Sequence, residues 1–256
     1  MKYYVVSDIH GFFDALTTAL DQNGFFKDTE PHKLIICGDL FDRGKQAFEL
    51  QEFVVDLLAK DEVILIRGNH EDLAVELMDT WNRKSYTYAY HEKNGTLDTM
   101  FQVSRTTSDD LKENPDVVRE KFLQSPYISK IILAMKNYYE TEHYIFVHGW
   151  IPCNSLRLSS VYTDYIYLDN WRNASEDAWN NSRWINGMEA ANGGVVESGK
   201  TIFCGHWHVS FGHAHYEGKG GEFDNPDFSP YIADGIIAID ACTAFSKKVN
   251  CVVVDD

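Results

Sequence analysis

A small set of polar residues follows short apolar runs and has the composition of a metal site. Asp8 and His10 stand two apart in DIHG; Asp39 comes next in GDLFDRG, then Asn69 with His70 in GNHED, His148 in VHG, and His206 with His208 in GHWH. Carboxylate, imidazole and amide donors make a mixed nitrogen and oxygen set. Such a set suits borderline divalent ions such as Mn, Fe, Zn, Co or Ni better than calcium. There are enough donors for two metals. A carboxylate can bridge two cations about 3.5–4 Å apart, and Asp39, which lies between the two groups in sequence, is the candidate bridge.

The elements that must position these residues alternate in the first third of the chain. Tyr3–Ser7, Lys33–Cys37 and Glu62–Ile66 read as strands; Phe12–Gln22, Phe48–Ala59 and Leu73–Trp81 read as helices. A β-α-β-α-β-α order implies parallel strands with helices on their faces. The loops DIHG, GDLFDRG and GNHED would then converge at the carboxyl ends of the strands, where open α/β sheets place their sites. Residues 82–142 turn polar, aromatic-rich and helical, which predicts a helical cap or insertion over the site. Strand-like runs return at His143–Val147, Thr201–Cys204, Ile236–Ile239 and Val249–Val254. These predict a second sheet packed face to face on the first. With no repeat or flexible linker in view, residues 1–256 are expected to form one domain.

Composition narrows the possible functions. Of the 256 residues, 44% are hydrophobic and 24% charged, a balance that excludes a disordered, collagen-like or coiled-coil chain. The net charge of −16 repels polyanions, so nucleic acid is not an expected partner, although bound metals can reverse the sign locally. Five scattered cysteines without a C-x-x-C pair fit reduced thiols in the cytoplasm. The opening MKYYVVSDIHG carries no cleavable leader pattern, and no apolar run approaches the ~18 residues a membrane span needs.

Taken together, DIHG, GDLFDRG, GNHE, VHG and GHWH resemble the calcineurin-like metallophosphoesterase superfamily. DRG and GNHE resemble its phosphoprotein phosphatase branch, which includes bacterial and phage protein phosphatases and symmetrical diadenosine tetraphosphate hydrolases. The resemblance implies an α/β fold: a four-layer α/β/β/α sandwich of two mixed sheets with a helical cap insertion. It also implies two divalent ions, manganese foremost. Asp8, His10 and Asp39 would hold the first metal, and Asp39, Asn69, His148 and His206 the second. His208 would complete the first shell as it does in the wider superfamily, although eukaryotic protein phosphatases lack that histidine. The cations would lower the pKa of a bridging water and clamp phosphate oxygens. His70 would protonate the leaving group and Asp42 would orient it. Arg43 would fork onto phosphate, Arg183 in NNSRWINGM would form a second clamp, and Asn69 would touch phosphate as well as metal.

The implied activity is hydrolysis of phosphoesters, most directly phosphoserine and phosphothreonine in a phosphorylated protein or a small phosphoester. Hydrolysis of diadenosine tetraphosphate or another phosphodiester is the enzymatic alternative. A non-catalytic interaction module is the alternative outside enzymology, but such a protein should have lost ligands, and none is missing here.

Several residues read as structural. Taken singly, DIHG is a helix-capping turn and His148 a core histidine; the ordered set of five motifs outweighs both readings. Tyr86, Tyr88, Tyr90 and His91 could stack on a nucleobase but read first as packing. His32, His91, His143, His213 and His215 read as surface or loop residues, and GGEFDN as a turn. Asn94–Thr99, NGTLDT, resembles an N-G-x-x-T element of bacterial members and is expected to shape the cap without a catalytic role. Cys37 and Cys204 read as buried, inert thiols.

Overall fold

Short apolar runs with alternating faces build the frame of the computed structural model. It describes the backbone of residues 1–81, 86–157 and 163–256, and the side chains of 1–81, 89–155 and 163–256. Strands β1 (Lys2–Val6), β2 (His32–Cys37) and β3 (Val63–Ile66) are parallel, joined by helices α1 (Phe13–Gln22) and α2 (Ala47–Ala59). Helix α3 (Asn69–Asp79) follows β3 directly. Four helices come next: α4 (Tyr86–Asn94), α5 (Thr96–Ser104), α6 (Ser108–Glu113) and α7 (Pro115–Gln124), closed by a π-helical turn at Tyr127–Ile132. Gly95, at φ 90°, makes the break between α4 and α5.

The second half supplies β4 (Tyr139–Glu140), β5 (Tyr144–Phe146), the hairpin β6 (Asn154–Arg157) with β7 (Thr163–Ile166), and helices α8 (Glu176–Ser182) and α9 (Gly187–Asn192). It ends with β8 (Thr201–Cys204), α10 (Val209–Tyr216), β9 (Tyr231–Ala233), β10 (Ile236–Ala238), α11 (Thr243–Ser246) and β11 (Val252–Asp255). The second sheet has the order β4-β5-β8-β10-β9, with β5, β8 and β10 parallel and an antiparallel strand at each edge.

Burial separates the layers. Tyr4, Val6, Leu34, Ile36, Val63 and Leu65 face the helices of the first half. Their neighbours Tyr3, Val5, Ile35, Cys37, Ile64 and Ile66 pack against Phe146, Phe203 and Ile239 of the second sheet. The far face of that sheet, including Ile145, Ile202, Cys204 and Ile236, packs on Trp150, Trp171, Trp179 and Met188. This is the helix, sheet, sheet, helix stacking that the resemblance implies, with both sheets mixed.

Three expectations are corrected. The run Val249–Val254 does not join the second sheet: β11 pairs antiparallel with β1 and makes the first sheet mixed. Helix α3 begins at Asn69 and not at Leu73, because Glu71 accepts the backbone N–H of Gly68 at 2.8 Å and caps the turn. His91 and His213 are buried. His213 lies within hydrogen-bond distance of Glu217 and of the Ser229 carbonyl. Among the described residues, no helix is long and apolar enough to cross a membrane.

Phe203 is wholly buried between the sheets and stacks on Phe146 with ring centroids 5.2 Å apart. Phe203→Ala is expected to lower unfolding free energy by about 3–5 kcal/mol. Urea denaturation would measure it; a loss under about 1 kcal/mol would contradict this packing of the two sheets.

Candidate metal centre

Among the described residues, each of the six parallel strands delivers a polar residue to one place: Asp8 after β1, Asp39 after β2, Asn69 after β3, His148 after β5, His206 after β8 and Asp240 after β10. The loops are zipped together by backbone bonds. Asp8 N donates to Gly38 O (3.2 Å), His10 N to Asp39 O (3.0 Å) and Gly205 N to His148 O (2.7 Å). Asp8, His10, Asp39, Asp42, Arg43 and His206 all have φ between 50° and 71°. Non-glycine residues adopt this left-handed region at a cost, and its concentration here marks loops shaped for the positions of their side chains. Two glycines make room: a Cβ on Gly68 would lie 2.2 Å from Asp39 Oδ1, and one on Gly205 would lie 2.1 Å from Asp8 Oδ2.

Asp39 is the hub. Its Oδ2 faces His10 Nε2 at 3.7 Å, and its Oδ1 faces His148 Nε2 at 3.3 Å. Asn69 Oδ1 lies 2.8 Å from His148 Nε2 and 2.9 Å from His206 Nδ1. The tautomers of two imidazoles follow from their outer contacts. His148 Nδ1–H donates to Cys37 O (2.8 Å) and His10 Nδ1–H to Phe41 O (2.9 Å), so each turns an Nε2 lone pair inward.

Burial holds His10 and His148 below the ordinary imidazole range and pushes His206 down to about 3. Asp39 is buried yet held below the ordinary carboxylate range by the surrounding imidazoles of His148, His70, His10 and His206. Asp8 is raised well above that range by burial and by Asp240 and Asp39, while burial lifts Asp240 to about 7.

These donors fit cations. Imidazole nitrogens, an amide oxygen and carboxylates converge, and His206 Nε2 is buried without a partner. Two groups, His10 with Asp39 and His70, and Asp39 with His148 and His206, each bring their ligand atoms within 4.8 Å of one another and share Asp39. Within the first group, His70 is otherwise engaged. Its Nδ1 lies 2.7 Å from Asp42 Oδ2 and its Nε2 lies 3.1 Å from Arg43 Nη2. Asp39 and the Asp42 contact outweigh the burial of His70 and raise its pKa. Asp8 borders the centre without joining either group; its carboxylate accepts the backbone N–H of His206 at 3.0 Å.

Two sequence expectations meet a different geometry. Arg183 is buried, and its guanidinium donates to Asp72 (2.8 Å), Asn180 (2.5 Å), Glu176 (3.2 Å) and Asn137. Both terminal nitrogens of its fork are engaged by carboxylate and amide groups and clasp α8 to α3, while its Nε–H is buried without a partner. His208 directs Nδ1 to Ser210 Oγ (2.9 Å) and Nε2 toward Glu222 (3.5 Å), outside both groups.

The mouth of the centre is aromatic. Trp184 and Trp207, 49% and 38% exposed, set their rings edge-on to His206 at 5.7 and 6.0 Å. A pocket of about 760 Å³ opens beside Arg43, walled by Leu97, Phe101 and Leu111 with Lys93 and Lys112. The side chains of Tyr86 and Tyr88 lie outside the described residues. Tyr90 lines a separate cleft with Trp184, and His91 is buried with both ring nitrogens unpartnered.

Sequence reasoning missed Asp240 and Glu71. Asp240 had a signal: it follows the apolar run Ile236–Ile239 as Asp8 follows its own strand. Glu71 is completely buried and accepts the backbone N–H groups of Gly68 (2.8 Å), Asp39 (3.0 Å) and Leu40 (3.0 Å). Its place three residues after Gly68 is the capping-box position, so one side chain starts α3 and fixes the loop carrying Asp39.

A family model described as calcineurin-like phosphoesterase matches residues 1–225. Among curated relatives, serine/threonine-protein phosphatase 2 of Salmonella typhimurium is 32% identical over 135 residues, 53% of this chain and 55% of that protein. The asymmetrical bis(5'-nucleosyl)-tetraphosphatase PrpE of Bacillus velezensis is 36% identical over 76 residues, 27% of this chain and 30% of that protein. The matched segments therefore span about half or less of these relatives. A cold-active protein-tyrosine phosphatase of a psychrophilic Shewanella shares the fold, with TM-score 0.57 and 16% identity over 100% of this chain and 75% of that one.

Glu71→Ala would strand three buried N–H groups. It is expected to cost about 3 kcal/mol or more, read as a lower midpoint of chemical denaturation; a change under about 1 kcal/mol would remove Glu71 from this role.

Proposed function

Because the chain belongs to the calcineurin-like phosphoesterase family, we propose that it is a metal-dependent phosphoric ester hydrolase acting on phosphomonoesters, phosphoserine and phosphothreonine foremost. The observation that carries this reading is one juxtaposition: two groups of ligands share Asp39, while the His70–Asp42 pair and Arg43 stand beside them. Asp8, His10 and Asp39 would hold one divalent cation, and Asp39, Asn69, His148 and His206 the other, with manganese the ion we assign. When bound, the pair supplies Lewis acidity to the phosphate and lowers the pKa of a water.

The chain's own residues do the rest. Asp42 accepts Nδ1–H of His70 and so aims Nε2 into the centre, where it is placed to give a proton to the leaving oxygen. Arg43 Nη2–H donates to that nitrogen at 3.1 Å; once the planar fork turns to phosphate oxygens on the same side, Nε2 is free to carry the proton it passes on. The adjoining pocket, open to solvent, offers a leaving group the apolar surfaces of Leu97, Phe101 and Leu111.

The match to a serine/threonine phosphatase covers more of the chain than the tetraphosphatase matches do and supports the phosphoprotein reading. A second reading, hydrolysis of a dinucleoside tetraphosphate, is supported by the exposed Trp184 and Trp207 rings, which are suited to stacking on a base. The five cysteines are unpaired, which supports our placing the protein in the cytoplasm.

The deciding experiment compares manganese-supplemented hydrolysis of a phosphoserine peptide and of diadenosine tetraphosphate by the same purified protein. A preference for the peptide is expected; a large preference for the dinucleotide would replace the first reading with the second. Asp39→Asn should lower turnover about 1000-fold or more by removing the shared ligand. His70→Asn should lower kcat about 100-fold with metal content retained. Full activity in either variant would remove that residue from its role.

A further inference from the structure

We propose that Thr96 and Thr99, on α5, are positioning residues that hold the acid His70 in line through Asp42. The inference rests on the reading of His70 as the proton donor and extends it to a helix that the centre itself does not include. Thr96 Oγ1 donates to Asp42 Oδ2 at 2.9 Å, and Thr99 Oγ1 donates to Asp42 Oδ1 at 2.8 Å. The Thr99 hydroxyl oxygen also accepts the backbone N–H of Asp42 at 2.9 Å, so a single side chain grips both ends of the aspartate. All three residues are buried, Thr96 at 0% and Thr99 and Asp42 at 1% exposure. The carboxylate thus has three side-chain donors, His70 Nδ1 at 2.7 Å and the two hydroxyls.

Geometry makes the hydroxyls more than packing. Asp42 and Arg43 sit in left-handed backbone at φ 71° and 65°, a conformation that a loop holds when its surroundings impose it. Rotation of the Asp42 carboxylate would break three bonds at once, so the hydroxyls set the direction in which Oδ2 meets the imidazole. The imidazole in turn sets where Nε2 points. Gly95 lets α5 approach this closely: a Cβ there would lie 2.4 Å from Arg43 N. Leu97, Asp98 and Phe101 of the same helix line the pocket that opens beside Arg43. A leaving group in that pocket would rest on the helix that orients its proton donor.

A positioning role has a signature that a structural role lacks. The alkoxide of an alkyl phosphate is a poor leaving group and needs the proton, whereas 2,4-dinitrophenolate leaves its phosphate ester readily without it. The test is kcat for a phosphoserine peptide and for 2,4-dinitrophenyl phosphate, with manganese, in the wild-type chain, T96V, T99V and T99S. In T99V and T96V the alkyl ester is expected to slow about 10- to 100-fold and the aryl ester by less than about threefold. T99S, which keeps the hydroxyl, should restore the alkyl ester to within about threefold of wild type. Equal losses on both esters, or no loss on either, would overturn the proposal. His70→Asn run alongside separates the two claims: if it slows both esters equally, the acid reading fails and carries this proposal with it. If it slows the alkyl ester selectively while the threonine variants do not, only the positioning role fails.

Discussion

The structure depends on a repulsion. Asp39 Oδ1, Asn69 Oδ1, His148 Nε2 and His206 Nδ1 approach within 2.8–3.3 Å of neighbours in a site from which water is largely excluded. The outer contact of His148 takes up its ring proton, which leaves its Nε2 lone pair facing Asp39 Oδ1 and Asn69 Oδ1. Lone pairs brought together in a low-dielectric interior are unfavourable unless positive charge joins them. An arrangement of this kind is a cation site whose binding energy offsets the crowding. The same crowding gives Asp8, Asp39 and Asp240 their opposing shifts, which differ because Asp39 is ringed by imidazoles and the other two are not.

Holding that repulsion in place takes a rigid frame. Two sheets packed through aromatic and branched side chains fix the strand ends, and the backbone between strand and ligand is as constrained as the ligands are. Glu71 shows how the constraint is distributed. It carries no chemistry, yet three backbone N–H groups on two loops depend on its carboxylate. Side chains that serve the backbone thus surround side chains that serve the reaction.

Much of this was legible in the sequence because the motifs lie where strand periodicity stops. Asp8, Asp39 and Asn69 could be placed at strand ends from pattern alone, and the resemblance supplied the layering. The start of α3 was misjudged because Asn69, His70 and Glu71 look polar and loop-like, whereas Glu71 turns inward as a cap. The edge position of β11 was invisible, since pairing with β1 depends on chain return and not on local composition. Arg183 matched a short motif, but no local pattern shows that Asp72 of α3 and Glu176 at the start of its own α8 both reach its guanidinium. Asn94–Thr99 was read as a shape element; the direction of its hydroxyls is a tertiary fact that no local pattern encodes.

The centre also spans most of the chain. The backbone N–H of His206 is bonded to Asp8 across 198 residues, and His148 reaches the Cys37 carbonyl across 111. A chain emerging from the ribosome carries Asp8, His10, Asp39, Asn69 and His70 long before it carries His206. During that interval the early residues form a half-site that lacks part of the second ligand group. The second ligand group is therefore complete only once the carboxyl-terminal third has docked.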